Sequence, residues 1–132
     1  MKHRLFAYGT LRRSHAAIHH RVVGSAQFLG RGSIAGRLFD LGRYPGVHRA
    51  GHDSWRVSGE LYELMDSDPE SRLLSIDRYE GPEFVRARVL VELEGGDRRL
   101  AWAYLLAEAP PMTARPIPSG TYRRRRSHAT VR

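Results

Sequence analysis

The chain has 132 residues, the length of one domain, because domains usually comprise about 100–200 residues. Hydrophobic residues make up 41% and aromatic residues 9%, enough to bury a core, so a fully disordered chain is excluded. Cysteine is absent, which excludes disulfides, thiolate metal sites and cysteine nucleophiles. The N-terminus lacks a signal-peptide run, and no segment approaches the ~20 apolar residues of a membrane span. We therefore expect a soluble, cytoplasmic protein.

The formal net charge is +8, from 22 Lys+Arg and 14 Asp+Glu residues, an excess that fits an anionic partner. However, Lys2 is the only lysine, and the arginines are spread along the chain apart from Arg12-Arg13 and Arg123–Arg126. This spread favours a compositional bias over a binding groove, and we expect neither a nucleic-acid nor a membrane partner. An anionic-polymer binder, the alternative, would lose affinity steeply with salt and on removal of residues 123–132. We instead predict that residues 123–132 form a basic, disordered tail.

Three strands are predicted in the first half of the chain. Leu5–Tyr8 is short, apolar and aromatic and runs into a turn at Gly9. Ile34–Leu41 and Trp55–Leu64 also have strand patterns, the latter with the alternation of a half-buried strand. Between them, Gly42–Asp53 is rich in glycine and histidine, and its Tyr-Pro-Gly sequence predicts a turn within a loop.

Two helices are predicted. Ser14–Val23 is a weak candidate, since it contains alanines but also two central histidines, and a glycine follows it. The clearest helix begins near Ser67, which has capping-box spacing to Glu70, while Asp68-Pro69 offers a second cap with proline in the first turn. Gly81-Pro82 ends this helix.

The second half of the chain predicts a hairpin followed by an irregular segment. Arg86–Leu93 and Leu100–Leu106 are strands around the turn Glu94–Asp97. After Pro110 the chain is rich in proline and is expected to be irregular. Strands outnumber helices and neighbouring strands look antiparallel, so the expected architecture is α+β with a curled or barrel-like sheet.

Familiar catalytic motifs are missing from the sequence. It contains no phosphate-binding glycine loop, no dinucleotide fingerprint, no His-Glu-x-x-His and no Gly-x-Ser-x-Gly elbow. His15 and His19 have i, i+4 spacing, and His48 and His52 share a loop, but a metal site would still need a carboxylate brought in by the fold. Surface histidines, and no metal, are therefore expected.

Glu80 is in two environments that disfavour its charge. It lies in the last turn of its helix, where the dipole opposes a negative charge by roughly 0.3–1 kcal/mol. It also continues the apolar stripe of Leu73 and Ile76, which predicts that it points toward the core. Its pKa should therefore be raised, as in a functional carboxylate. The alternative is a helix that ends one residue earlier, with Glu80 paired to an arginine.

A second candidate feature is the turn Tyr8-Gly9-Thr10-Leu11, where the first strand ends at glycine. Successive backbone N–H groups in such a turn can point at one anion, such as a carboxylate. The same pattern is common in folds that bind nothing there, so the pattern alone favours a plain turn.

Both features fall within five ordered segments that resemble the AIG2-like γ-glutamylcyclotransferase superfamily. The family has a Tyr-Gly-Thr/Ser-Leu turn, a Val-x-Gly-Glu-Leu-Tyr strand and a Leu-Asp-x-Tyr/Phe-Glu-Gly helix end. The matching segments are Phe6-Ala7-Tyr8-Gly9-Thr10-Leu11-Arg12, Gly36-Arg37-Leu38-Phe39-Asp40-Leu41 with Tyr44-Pro45, Val57-Ser58-Gly59-Glu60-Leu61-Tyr62, Leu74-Ser75-Ile76-Asp77-Arg78-Tyr79-Glu80-Gly81 and Ile117-Pro118-Ser119-Gly120-Thr121-Tyr122. They extend from residue 4 to about residue 122, which predicts one domain over residues 1–122.

The resemblance implies a compact antiparallel β-barrel flanked by a few helices, with a cavity between the turn and the helix-end glutamate. It implies that Glu80 is catalytic, and that a substrate is bound by Tyr8, Gly9, Thr10, Leu11, Tyr44, Pro45 and Tyr122. The sequence departs from the family pattern at two places. Ser14 replaces a glycine that is common in the family, and Thr121-Tyr122 replaces the Asp-Trp of the family's closing Ile-x-Ser-Gly-Asp-Trp segment. The second departure affects the expected substrate-side wall.

The implied reaction releases 5-oxoproline and an amine when the α-amine of a γ-glutamyl substrate attacks its own γ-carbonyl. The substrate supplies the nucleophile, so no cofactor is expected. A non-catalytic module of the same fold that binds small carboxylates is the alternative from another class of function.

Overall fold

The structure is a computed structural model that describes residues 3–9, 23–49 and 54–123. The predicted helix at Ser14–Val23 lies, except for its last residue, outside these residues. The elements in chain order are β1 (Arg4–Ala7), β2 (Ala26–Ala35), β3 (Arg37–Asp40), β4 (Pro45–His48), β5 (Arg56–Leu64), α1 (Pro69–Glu80), β6 (Phe84–Leu93), β7 (Arg98–Leu106) and β8 (Arg115–Pro116).

Five strands form a closed barrel in the order β1-β5-β2-β6-β7. The pairs β1–β5, β2–β5, β2–β6 and β6–β7 are antiparallel, whereas β1 and β7 are parallel where Leu5 meets Trp102. A smaller sheet has the order β4-β3-β8. The expected α+β class with a barrel is therefore confirmed, and its β1–β7 closure makes the barrel mixed rather than wholly antiparallel. In the described residues no helix is long and apolar enough to cross a bilayer.

Alternate residues of the strands pack into two hydrophobic clusters, as the two-residue period of a strand requires. One cluster includes Phe6 and Leu61 and gathers side chains from seven strands, so it fills the barrel. The other contains Tyr62 of β5 together with Leu73 and Ile76, so it joins the outer face of the barrel to α1. Both faces of β5 are therefore buried along much of its length, and even Glu60 is only 6% exposed.

The predicted strand Ile34–Leu41 is wrong as a single element, because Gly36 divides it between β2 and β3. Gly36 has a φ of 148°, which few other residues adopt. A Cβ at this position would lie 2.8 Å from Cγ1 of Val47. The break therefore lets the chain leave the barrel and enter the smaller sheet with close backbone packing.

Two segments predicted to be irregular form strands. Pro45–His48 pairs with β3, although the sequence predicts a loop over Gly42–Asp53. The segment after Pro110 includes β8, which also pairs with β3. β4 pairs with the strand just before it, but its proline and glycine favour a turn over a strand. β8 depends on a partner distant in sequence, so a local pattern gives little sign of it.

Candidate active site

A recess opens where the end of β1, the start of β4, the last turn of α1, the start of β6 and the end of β7 meet. Its described walls are mostly aromatic, with one carboxylate. The lining residues are Phe6, Ala7, Tyr8, Gly9, Tyr44, Pro45, Tyr79, Glu80, Phe84 and Tyr104.

The sequence of α1 places Glu80 at the recess by fixing both ends of the helix. Asp68 caps the N-terminus by accepting a hydrogen bond from the Ser71 N–H at 3.2 Å, and a proline follows the cap. At the other end Gly81 adopts a φ of 91° and donates its N–H to the Asp77 carbonyl at 3.1 Å. The helix therefore continues through Glu80, which is half-buried, rather than ending one residue earlier.

Tyr8 follows β1 as a buried wall of the recess. Its hydroxyl donates a hydrogen bond of 2.5 Å to the backbone carbonyl of Tyr104 on β7. Burial raises the pKa of Tyr8 far above its usual value, and the negative charge of Glu80 raises it further. Tyr8 is therefore a neutral donor held by the Tyr104 carbonyl, and it lies close enough to Glu80 for that charge to oppose its ionisation.

Gly9 allows close backbone packing beside the recess. A Cβ at Gly9 would lie 3.2 Å from Cγ of Pro45, and a Cβ at Gly46 would lie 2.6 Å from the Leu106 side chain. Without side chains at these positions, β4 can approach both the end of β1 and the end of β7. This approach places Tyr44 and Pro45 on the same recess as Gly9.

Tyr44 lies at the rim of the recess and is held by two contacts. Its hydroxyl donates to Oε2 of Glu83 at 2.7 Å, and its ring packs against Phe84 with 5.6 Å between centroids. Beyond Tyr44 a second, more open groove begins, with Pro82 and Glu83 on one side and Leu106 and residues 107–111 on the other. Tyr44 is thus shared by the recess and the groove.

Tyr104 forms the wall of the recess next to α1. Its hydroxyl donates to Oδ1 of Asp77 at 2.5 Å. Burial raises the pKa of Tyr104 far above its usual value, and the hydrogen bond to Asp77 adds to the effect. Like Tyr8, it stays uncharged at physiological pH.

Comparison with known proteins identifies the family. A family model described as gamma-glutamyl cyclotransferase, AIG2-like, matches residues 5–124. The chain belongs to this family. A Vibrio cholerae protein provisionally assigned as a gamma-glutamylcyclotransferase is 36% identical over 110 residues, covering 82% of this chain and 85% of that protein.

Solved structures have the same fold. YkqA from Bacillus subtilis superposes with a TM-score of 0.72 at 27% identity, and the match covers 92% of this chain but only 40% of YkqA. An AIG2-like protein from Mus musculus superposes with a TM-score of 0.62 at 28% identity, covering 83% of this chain and 80% of that one. The γ-glutamylcyclotransferase-like fold expected from the sequence motifs is therefore confirmed.

Five of the residues that the family resemblance predicted for the site lie on one recess in this member of the family. They are Tyr8, Gly9, Tyr44, Pro45 and Glu80. Thr10 and Leu11 lie outside the described residues. Glu80 lies on the same recess as Gly9, an arrangement that the predicted site requires.

Tyr122 is placed elsewhere. It is partly buried against the cluster that fills the barrel and does not line the described part of the recess. The segment before it is held on β5, because Ser58 donates its N–H to the Gly120 carbonyl at 2.8 Å. The role of Tyr122 as a substrate-side wall therefore stays a prediction.

Four aromatic walls of the recess were not predicted from the sequence: Phe6, Tyr79, Phe84 and Tyr104. Tyr79 directly precedes Glu80, so its place in the helix-end motif was a usable signal. Phe84 and Tyr104 carry no such signal, because pairing at the open ends of β6 and β7 brings them to the site.

Metal ligation has no support in the part of the chain that the structure describes. In residues 3–9, 23–49 and 54–123, no three His, Cys, Asp or Glu side chains gather as a metal site.

Proposed function

We propose that the protein is a γ-glutamylcyclotransferase that releases 5-oxoproline from a γ-glutamyl amine. The observation that carries this proposal is the position of Glu80 on the same recess as Gly9, in a chain of this family. The α-nitrogen of the substrate forms a bond to its γ-carbon, and the bond from that carbon to the leaving amine breaks. The α-ammonium loses a proton, and the leaving amine gains one.

Glu80 is proposed to carry the proton between these two nitrogens. A carboxylate takes the proton from the α-ammonium, because an ammonium has no lone pair with which to attack. The resulting carboxylic acid then protonates the leaving amine. General base and acid catalysis of this kind contributes about 10²–10⁴-fold. The half-buried position of Glu80 supports this role, since partial exclusion of water strengthens its interaction with a bound ammonium.

The aromatic walls are proposed to hold the γ-glutamyl chain in the folded conformation that cyclisation needs. Correct orientation in intramolecular reactions contributes up to about 7–11 kcal/mol. Tyr8 and Tyr104 are suited to this task because hydrogen bonds fix both rings. Both phenols are neutral at physiological pH, and their raised pKa extends this state into alkali, so they add no charge that would repel the substrate carboxylate.

The turn Tyr8-Gly9-Thr10-Leu11 is proposed to bind the α-carboxylate through backbone N–H groups, as the family resemblance implies. This assignment orients the substrate with its α-carbon near β1 and its γ-carbonyl toward Glu80. The leaving amine then extends past Tyr44 toward the groove at Pro82 and Glu83. The open shape of that groove accommodates groups of different sizes.

A screen for 5-oxoproline release tests the proposal. γ-Glutamyl-lysine, γ-glutamyl dipeptides and glutathione are incubated with the purified protein, and 5-oxoproline is quantified by mass spectrometry. Release from at least one compound is expected. If a compound binds in calorimetry but no 5-oxoproline forms, the protein is a carboxylate-binding module and the proposal is wrong.

A further inference from the structure

Asp77 joins three elements of the fold one helical turn before Glu80. Its Oδ1 accepts a hydrogen bond from the Tyr104 hydroxyl on β7. The Arg86 guanidinium on β6 donates to the same carboxylate, from Nε to Oδ1 at 2.8 Å and from Nη2 to Oδ2 at 3.3 Å. One carboxylate thus ties the end of α1 to two barrel strands.

This cluster continues to the walls of the recess. The Asp77 backbone carbonyl accepts the Gly81 N–H that ends the helix after Glu80. The Tyr104 carbonyl accepts the hydroxyl of Tyr8. Displacement of Asp77 would therefore disturb Glu80, Tyr104 and Tyr8 together.

Arg86 is held in place independently of Asp77. Its guanidinium stacks on the Trp102 ring with Cζ 4.5 Å from the centroid. The Arg86 and Asp77 side chains are only 21% and 34% exposed. Because water screens this pair only partly, a change of charge on either residue should shift the pKa of nearby titratable groups.

The pair also balances charge near Glu80. Residues at i and i+3 of a helix are neighbours on its surface, so an uncompensated Asp77 would oppose ionisation of Glu80. The raised pKa of Tyr104 reflects the same field, since Asp77 and Glu80 both raise it and Arg86 lowers it. Arg86 thus offsets the negative charge that Asp77 would otherwise bring to the site.

Other titratable groups also border Glu80. The remaining lining residues that titrate are four tyrosines: Tyr8 just after β1, Tyr44 in the β3–β4 connection, Tyr79 on α1 and Tyr104 on β7. The charged side chains on the adjoining parts of α1, β6 and the connection between them are Asp77, Arg78, Glu83, Arg86 and Arg88. Of this set, Asp77 accepts a hydrogen bond from the Tyr104 hydroxyl, and Arg86 donates to Asp77.

We propose that Asp77 and Arg86 form a positioning pair for the site: their ion pair holds Tyr104 and the last turn of α1 in place and cancels charge beside Glu80. Neither residue touches the substrate in this scheme. The importance of the pair for turnover rests on the proposed function of Glu80. The effect of the pair on the ionisation of Glu80 is independent of that proposed function.

The test follows the ionisation of Glu80 directly by ¹³C NMR of the glutamate side-chain carboxyl, assigned by its loss in Glu80→Gln. Asp77→Asn keeps an acceptor for the Tyr104 hydroxyl but leaves Arg86 without its counter-charge, so the Glu80 midpoint should fall by about 0.5–1 pH unit. Arg86→Gln leaves Asp77 uncompensated, so the midpoint should rise by about the same amount. The double variant should titrate close to the unsubstituted protein.

Asp66→Asn is the matched control. Asp66 accepts a hydrogen bond from Arg72 at 3.0 Å, and the two side chains are 22% and 27% exposed. The Asp66→Asn substitution therefore breaks an ion pair of similar burial near the other end of α1. That end is about 18 Å from Glu80, given ~1.5 Å per helical residue, so a shift below about 0.2 pH unit is expected. Equal midpoints in Asp77→Asn and Asp66→Asn, or shifts of the same sign in Asp77→Asn and Arg86→Gln, would overturn the proposal. If Arg86→Gln does not fold, the comparison of Asp77→Asn with Asp66→Asn decides.

Activity is measured separately on any γ-glutamyl compound that is turned over. The limb of the pH profile of kcat/KM that depends on Glu80 should move with its NMR midpoint. If the midpoints move but no compound is turned over, the proposed function fails while the positioning pair stands. If turnover is present and the midpoints do not move, the positioning pair fails and the proposed function stands.

Discussion

Glu80, the last residue of α1, and Gly9, just after β1, line one recess although most of the chain separates them in sequence. The helix brings Glu80 there because Asp68 and Gly81 fix its two ends. The barrel brings Gly9 there because β1 pairs with β5 on one side and β7 on the other. The helix ends and the barrel pairing thus place a carboxylate and Gly9 on one recess, the arrangement on which the proposed cyclisation depends.

Substitution of Gly9 should impair substrate binding more than folding. In Gly9→Ala the new Cβ would lie 3.2 Å from Cγ of Pro45, so the turn or β4 must shift by a few tenths of an ångström. Small misplacements at a site of this kind cost about 10–100-fold in kcat/KM. The matched control is Gly95→Ala, because a Cβ at Gly95 meets nothing within 4 Å. Equal kcat/KM in the two variants would argue against a role for the turn in binding.

Stability should fall steeply in alkali. Tyr8 and Tyr104 have pKa values raised far above the usual 10 of an unfolded chain, so their contribution is complete below about pH 10 and is lost as the pH rises toward the folded values. Each tyrosine then costs up to about 1.4 kcal/mol of unfolding free energy per pH unit. Urea unfolding between pH 9 and 11.5 measures the slope. In Tyr8→Phe with Tyr104→Phe the slope should be shallower, and an unchanged slope would contradict the assignment.

The segment around Gly120 should be an integral part of the domain. Gly120 has a φ of 71°, and a Cβ there would lie 2.0 Å from the backbone oxygen of Arg56. Gly120→Ala should therefore lower the free energy of unfolding by about 3–5 kcal/mol, from backbone strain and a forced shift of β5. Gly95→Ala should stay within about 0.5 kcal/mol of the unsubstituted protein. If the two variants are equally stable in urea, the predicted domain does not include this segment.

The sequence predicted those parts of the fold that local chemistry determines. Asp68-Pro69 and Gly81 mark the ends of α1, and the glycine-rich turn after Leu93 marks the β6–β7 hairpin. Glu80 could be singled out because it conflicts with the helix dipole and continues an apolar stripe, and a local conflict of this kind often marks a functional site.

The remaining parts depend on pairing between distant segments. β8 forms on β3, and nothing in the sequence around Arg115 indicates that partner. Tyr104 reaches the recess because β7 closes the barrel on β1, and its carbonyl becomes the acceptor for Tyr8. Periodicity predicts which residues of a strand are buried, but it does not predict which strand lies alongside.

The most direct test of the account compares 5-oxoproline release by the unsubstituted protein, Glu80→Gln and Glu70→Gln. Glutamine preserves the shape of Glu80 but cannot accept and return the proton, so kcat should fall by about 10²–10⁴-fold without a comparable loss of stability. Glu70 lies in the first turn of the same helix, exposed and bonded to His3 at 3.2 Å, so Glu70→Gln should retain full turnover. Retention of most activity by a folded Glu80→Gln variant would contradict the account.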